Sequence, residues 1–210
     1  MPRLLVATSN PDKLREIRAV LAASPIDLFS LADLPPVEEP EETGTTFEAN
    51  ARLKALFYDD HARRSGSLAG QPELLTVAED SGLVIDGLGG EPGVYSARFV
   101  RPDASYAERF AEIYRRLEAN RVPRPWTARF VCALSVVAQG KPVFETRGTV
   151  EGTIADAPAG TSGFGYDPIF FFHKYGKTFG EVSEEEKLLV AHRGNAFRAL
   201  DRWRLEPHPY

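Results

Sequence analysis

Across 210 residues the chain carries one cysteine, one methionine and two tryptophans. A lone thiol, Cys132, cannot close an intramolecular disulfide, and no Cys/His set shows the short spacing of a zinc site. A disulfide scaffold and a zinc module are therefore excluded, and a reducing compartment is expected. No apolar run approaches the roughly 18 residues of a membrane span. The stretch Leu4–Ala7 gives way at once to Thr8-Ser9-Asn10, too short for the apolar region of a secretory signal. Positive charge is not in excess either: 25 basic side chains face 30 acidic ones, a formal charge of -5. Nothing global then draws the chain to nucleic acid or to an anionic membrane, and an anionic ligand has to be held by local cations. The expectation is a cytoplasmic protein whose partner is neither nucleic acid nor membrane.

Hydrophobic residues make up 43% of the sequence and charged ones 26%, enough to bury a real core. The length predicts one domain over residues 1–210, with no linker or internal repeat. Arg3–Ala7 reads as a buried strand, followed by a helix over Lys13–Leu21. The proline- and glutamate-rich segment Pro35–Gly44 feeds a helix from Phe47 toward Arg64. Ser65–Pro72 reads as a connection, Leu74–Ala78 and Gly82–Leu88 as two strands separated by a turn at Ser81-Gly82, and Tyr106–Glu118 as a helix. Trp126–Ala138 and Pro142–Ile154 form a hairpin around Gln139-Gly140-Lys141, Ile169–Phe172 is a further strand, and His192–Arg204 is an amphipathic helix. The uneven alternation of elements predicts an α/β fold with a mixed sheet flanked by helices.

Five places could carry chemistry. Thr8-Ser9-Asn10-Pro11-Asp12-Lys13 joins a strand to a helix start, where N–H groups, hydroxyls and a lysine together suit a phosphate. A plain capped helix with a solvated lysine explains the same residues. Thr46, Asn50 and Lys54 recur every four residues and line one helix face, behind a loop carrying Glu38, Glu39, Glu41 and Glu42. A solvated face is the ordinary alternative. Glu79-Asp80-Ser81-Gly82 places two carboxylates at a strand end, where like charges call for a cation such as Mg²⁺, although a simple turn has the same composition. The loop Gly160–Pro168 sets three glycines beside Phe164 and Tyr166 and can press backbone and ring against a planar ligand. Lys187, His192 and Arg193 are cations spaced to face the protein body, where an ion pair is the ordinary explanation.

Taken in order, Thr8–Lys13, Glu41-Glu42-Thr43-Gly44, Thr46–Ala51 with Lys54-Ala55, and Glu79–Leu83 resemble the inosine triphosphate pyrophosphatases, also called XTP/dITP diphosphatases. Pro92–Arg98, Gly163–Pro168, Lys187 and His192-Arg193-Gly194 extend the resemblance over nearly the whole chain. It implies a long mixed sheet supporting two lobes around a central nucleotide cleft. It further implies a cytoplasmic homodimer that uses Mg²⁺ to hydrolyse ITP, dITP and XTP to the monophosphate and pyrophosphate. Residue by residue, it makes Asp80 the proton acceptor and a metal ligand, with Glu41 the second metal carboxylate. Substrate binding falls to Thr8, Ser9, Asn10, Pro11, Asp12, Lys13 and Lys54 at the triphosphate. At the base it falls to Ser81, Phe164, Gly165, Tyr166, Asp167, Lys187, His192 and Arg193. Lys13 and Lys54 must then open onto the same crevice as Asp80 and Arg193.

Three positions depart from the family pattern: Glu79 replaces the first aspartate of the commoner Asp-Asp-Ser-Gly form, Ala191 stands where serine often occurs, and Asn195 follows Gly194 in place of lysine or glutamine. A nucleotide-binding regulator without turnover is the competing reading. The three carboxylates Glu41, Glu79 and Asp80 speak against it, because a mere phosphate binder gains little from nearby negative charge.

Overall fold

A computed structural model of the chain describes residues 2–66 and 74–206. Among the described residues seven strands form one mixed sheet in the order β2-β1-β3-β4-β5-β6-β7. They are β1 (Arg3–Val6), β2 (Asp27–Ser30), β3 (Leu74–Ile85), β4 (Thr127–Ala138), β5 (Lys141–Ile154), β6 (Phe170–Phe172) and β7 (Lys177–Thr178). Strand β1 pairs in parallel with β2 and β3, whereas β6 is antiparallel to both β5 and β7. The helices are α1 (Pro11–Val20), α2 (Phe47–Ser65), α3 (Tyr106–Ala119), α4 (Glu184–Val190) and α5 (His192–Trp203). The described residues divide into two compact units.

The first unit comprises residues 2–66, 74–80, 132–148 and 193–206. Parallel strands buried on both faces read as continuous apolar runs, and β1 with the first half of β3 does so. Because successive strand residues point to opposite faces, Leu75 and Val77 pack with Ile17 and Leu21 of α1 and with Ala196, Phe197 and Leu200 of α5. Ala78 turns the other way, toward Ala55 and Tyr58 of α2, and Thr76 donates to Asp59 of the same helix at 3.3 Å. Glu79 therefore inherits the α1/α5 face and Asp80 the α2 face.

The second unit comprises residues 81–131 and 149–192. Its core gathers Leu83 and Ile85 of β3, Phe110, Ile113 and Leu117 of α3, Phe130 of β4, and Phe170 and Phe179. Helix α3 begins with a capping box in which Ser105 and Glu108 satisfy each other's backbone N–H groups, and α4 repeats the device with Ser183 and Glu186.

The expected helices and the β4–β5 hairpin appear within a residue or two of their predicted ends, with Gln139 and Gly140 both at positive φ in the turn. The turn expected at Ser81-Gly82 does not form: β3 continues through it to Ile85. Local turn chemistry yields there to an extended strand buried along most of its length. The Ser65–Pro72 connection lies largely outside the described residues.

Candidate active site

The site in the first unit is built where β1 ends, beside the middle of β3. Asn10 caps α1, its Oδ1 accepting the N–H groups of Asp12 at 2.9 Å and Lys13 at 3.2 Å. Pro11 has no N–H, and Leu14 N–H already closes on the Asn10 carbonyl. The first turn of α1 is thus satisfied by its own cap, and Lys13 is the cation it presents. The Lys13 ammonium lies 2.9 Å from Glu79 Oε1.

Glu79 is the hub of the α1/α5 face. Besides Lys13 it takes Arg193 Nη2 at 3.2 Å and the Cys132 thiol at 3.4 Å. Arg193, the first unit's residue at the start of α5, also donates through Nη1 to Glu16 of α1. Burial pushes Glu79's carboxyl upward, but Arg193, Lys13 and Lys54 more than offset this and hold it well below the usual carboxylate range. Burial likewise works against the Arg193 charge, and Glu79 and Glu16 overcome it so that the guanidinium stays protonated. Burial, then the neighbouring Glu79 charge, pushes the Cys132 thiol well up, so it serves as a neutral donor.

On the other face, helix α2 presents Asn50 and Lys54 one turn apart. Asn50 is fully buried, accepts the Gly44 N–H through Oδ1 at 2.8 Å and donates from Nδ2 to Asp80 Oδ2 at 3.1 Å. Lys54 lies 2.6 Å from Glu42 and 3.5 Å from Asp80 Oδ1. Burial raises the Asp80 pKa; Lys54 lowers it and the like charge of Glu42 raises it again, leaving it above the ordinary aspartate value. Burial opposes the Lys54 charge, but Asp80, Glu42 and Glu79 together raise its pKa.

Of the predicted polyphosphate and metal residues, Lys13, Lys54 and Asp80 thus join one network in the first unit, with Thr8 accepting the Asn10 N–H at 3.3 Å; Arg193, expected at the base, joins the same network through Glu79 and Glu16. Glu79 and Asp80 do not confront each other, as the adjacent carboxylates were expected to; the strand pleat sends them to separate partners. Glu42 is the glutamate at Lys54, whereas Glu41 is exposed. Whether a divalent cation suits this place is decided by Asp80 and Glu42. They offer hard oxygen donors on either side of one lysine, and the like-charge repulsion between them is what a cation relieves. Among the described residues no set of three His, Cys, Asp or Glu side chains stands ready as a cage. An ion bound there would complete its shell with water and phosphate oxygens, the usual habit of Mg²⁺.

The second unit holds the predicted base residues other than Arg193. Asp167 Oδ2 accepts the Phe164 N–H at 2.8 Å and the Lys187 ammonium at 2.6 Å, and both charged side chains are buried. The same ammonium lies 4.9 Å from the centre of the half-buried Phe164 ring. Gly163 and Gly165, both at positive φ, flank Phe164, and a Cβ on Gly163 would lie 2.1 Å from Asp167 Oδ2. His192 stacks on Phe130 at 4.9 Å between centroids. Tyr166 is buried, and Ser81 continues β3 at intermediate exposure.

Sequence reasoning passed over Glu16 as a site residue, named Glu42 only as one carboxylate of the acidic loop while choosing Glu41 for the metal, and gave Asn50 no partner. Glu16 sits one turn beyond Lys13 on the face of α1 that also carries Ile17, and an acidic residue there calls for a buried cation. Neither Arg193 nor Asn50 reveals its partner by local spacing, since Glu16 is 177 residues from Arg193 and Asp80 is 30 from Asn50.

The Ham1 family model matches residues 4–203. A dITP/XTP pyrophosphatase of an Exiguobacterium species is 43% identical, the alignment covering 95% of each chain. One from Geobacter sulfurreducens is 44% identical, again over 95% of each. A solved HAM1 protein of Coxiella burnetii superposes with a TM-score of 0.81 at 33% identity, covering 99% of this chain and all of that one.

Proposed function

The chain belongs to the Ham1 family, and from that premise we propose that it hydrolyses non-canonical purine nucleoside triphosphates, dITP, ITP and XTP, to the monophosphate and pyrophosphate. The observation that carries this reading is the grouping of Lys13, Lys54 and Asp80 with Glu42 and Asn50 where β1 ends beside the middle of β3. A phosphate-binding module gains nothing from buried carboxylates beside its lysines; a hydrolase needs them.

In the proposed reaction, Lys13 and Lys54 hold the phosphate oxygens as point charges. Asp80 and Glu42 would hold a divalent cation such as Mg²⁺, which when bound would supply charge stabilisation at the transferred phosphoryl group. Asn50 fixes one oxygen of Asp80 by its 3.1 Å hydrogen bond, which leaves the carboxylate oriented to align a water and take its proton. Arg193 serves indirectly: by holding Glu79 it sets where Lys13 stands.

At the base, Phe164 supplies a stacking face, and Lys187 and His192 supply donors to a 6-keto oxygen. Adenine carries a 6-amino donor in that place, so donor would meet donor and about 2–5 kcal/mol of binding is lost. The reading extends to a homodimer acting in the cytoplasm. Among the described residues no helix is long and apolar enough to cross a membrane.

Product analysis with dITP, XTP, dGTP and dATP, each with and without Mg²⁺, tests the reading. Pyrophosphate released from dITP and XTP only with the metal is the expected result. Orthophosphate as the first product, or equal turnover of dATP, overturns it. Sedimentation analysis tests the dimer.

A further inference from the structure

We propose that Tyr166 is a positioning residue that sets the stance of the Phe164–Asp167 loop through the backbone of Ser96; the assignment of a base to that loop rests on the function proposed above. Phe164 is bracketed by Gly163 and Gly165, at φ 71° and 68°, backbone values at which glycine resists least and orders least. A stacking ring on such a hinge needs anchors beyond its flanking glycines. One is Asp167, which accepts the Phe164 N–H. The other is Tyr166, whose phenol donates to the Ser96 carbonyl at 2.9 Å.

The Ser96 end is itself fixed. It lies in the 3-10 turn Gly93–Arg98, within the Pro92–Arg98 motif that the proposed reaction leaves without a task. Its Oγ accepts the Leu83 N–H of β3 at 3.0 Å and donates to the Gly93 carbonyl at 2.7 Å. The Tyr166 ring is held edge-on by Tyr106, 5.3 Å away at 88°, with Phe110 at 6.0 Å on α3. At 4% exposure, its side chain has no face left for a ligand. Burial also pushes the phenol pKa up, which keeps it a donor at physiological pH. Strand β3, the Gly93–Arg98 turn and helix α3 thus determine together where Phe164 and Asp167 stand.

Tyr166→Phe deletes one hydroxyl and keeps the ring. In the full chain, KM for dITP rises about three- to tenfold, the worth of one hydrogen bond, while kcat changes less than twofold and preference for dITP over dATP falls. Ser96→Ala, which releases the Leu83 tether, shifts KM the same way, and the double variant costs less than the product of the two. Hydrogen exchange reads the latch without any substrate: in Tyr166→Phe the backbone of residues 163–167 exchanges faster while β4 is unchanged. Unaltered exchange in that loop overturns the proposal whatever the substrate is, as does faster exchange throughout the second unit. If loop exchange rises but wild-type protein releases no pyrophosphate from dITP, the latch stands and the functional reading falls. Unaltered KM and preference in an active enzyme overturn the role in base binding.

Discussion

Glu79 and Arg193 meet at 3.2 Å with both side chains 1% exposed, and each brings a second partner, Lys13 on one side and Glu16 on the other. A buried ion pair contributes little net stability against an apolar substitute, but stripping one member leaves a charge with no water to take its place. Arg193 is the costly member to remove, because Glu16 and Glu79 depend on it together. Arg193→Met is expected to destabilise the fold by roughly 3–5 kcal/mol, measured by denaturant unfolding. Glu79→Gln should cost less, since Arg193 keeps Glu16 and Lys13, 18% exposed, reaches solvent. Equal losses for the two variants would refute this ordering.

Glu79→Asp tests why this chain has the longer side chain. Lys13 at 2.9 Å and Arg193 at 3.2 Å both meet the same oxygen, Oε1. Withdrawing it by one methylene, about 1.5 Å, lengthens both contacts. A higher KM for dITP is expected, with the metal concentration for half-maximal rate unchanged, because Glu79 faces α1 and α5 and not Glu42. A change in metal requirement alone would return Glu79 to the metal site.

How much of this was legible in the sequence depends on how far apart the partners lie. The strand–loop–helix at Thr8–Lys13 and the helix face of Asn50 and Lys54 are local patterns, and each forms where its spacing predicted. Ser81-Gly82 also carries a local signal, for a turn, and there the signal fails, because β3 is buried on both sides and extended backbone is what its neighbours can pair with. The Glu79/Asp80 pair looked like a double carboxylate. Only the strand pleat, with α1 and α5 on one face and α2 on the other, shows why Glu79 is held well below the usual carboxylate range while Asp80 is held above the ordinary aspartate value. Which glutamate of Glu41-Glu42 meets Lys54 was beyond reach, since a loop without periodicity does not say which of two neighbours turns inward.

Asp80→Asn keeps the shape of the side chain and removes its capacity to take a proton. Turnover of dITP is expected to fall at least a hundredfold, with nucleotide affinity measured by calorimetry kept within a few-fold. Asn50→Ala leaves Asp80 charged but frees one of its oxygens, so a smaller loss, mainly in kcat, is expected. If Asn50→Ala matched Asp80→Asn, the hydrogen bond and not the carboxylate would be the decisive element.

Gly163 of the base loop and Gly176 of the turn between β6 and β7 allow a graded test of how far steric fit, as opposed to backbone conformation, governs the loop. Gly163 and Gly176 have nearly the same φ, 71° and 63°, so alanine pays a similar conformational cost at either, about 1 kcal/mol. Their surroundings differ. A Cβ at Gly176 meets nothing within 4 Å, whereas at Gly163 it lies 2.1 Å from Asp167 Oδ2, the atom that receives both Lys187 and the Phe164 N–H. Gly163→Ala must therefore move a carboxylate whose ion pair with Lys187 is 2% exposed on both sides. Thermal unfolding should show a small loss for Gly176→Ala and a larger one for Gly163→Ala. In steady-state kinetics with dITP, Gly176→Ala should behave as wild type, while Gly163→Ala raises KM and narrows the preference for dITP over dATP. Equal KM values in the two variants would mean that the Asp167–Lys187 pair tolerates displacement, and base selection would then have to reside in His192 and Ser81.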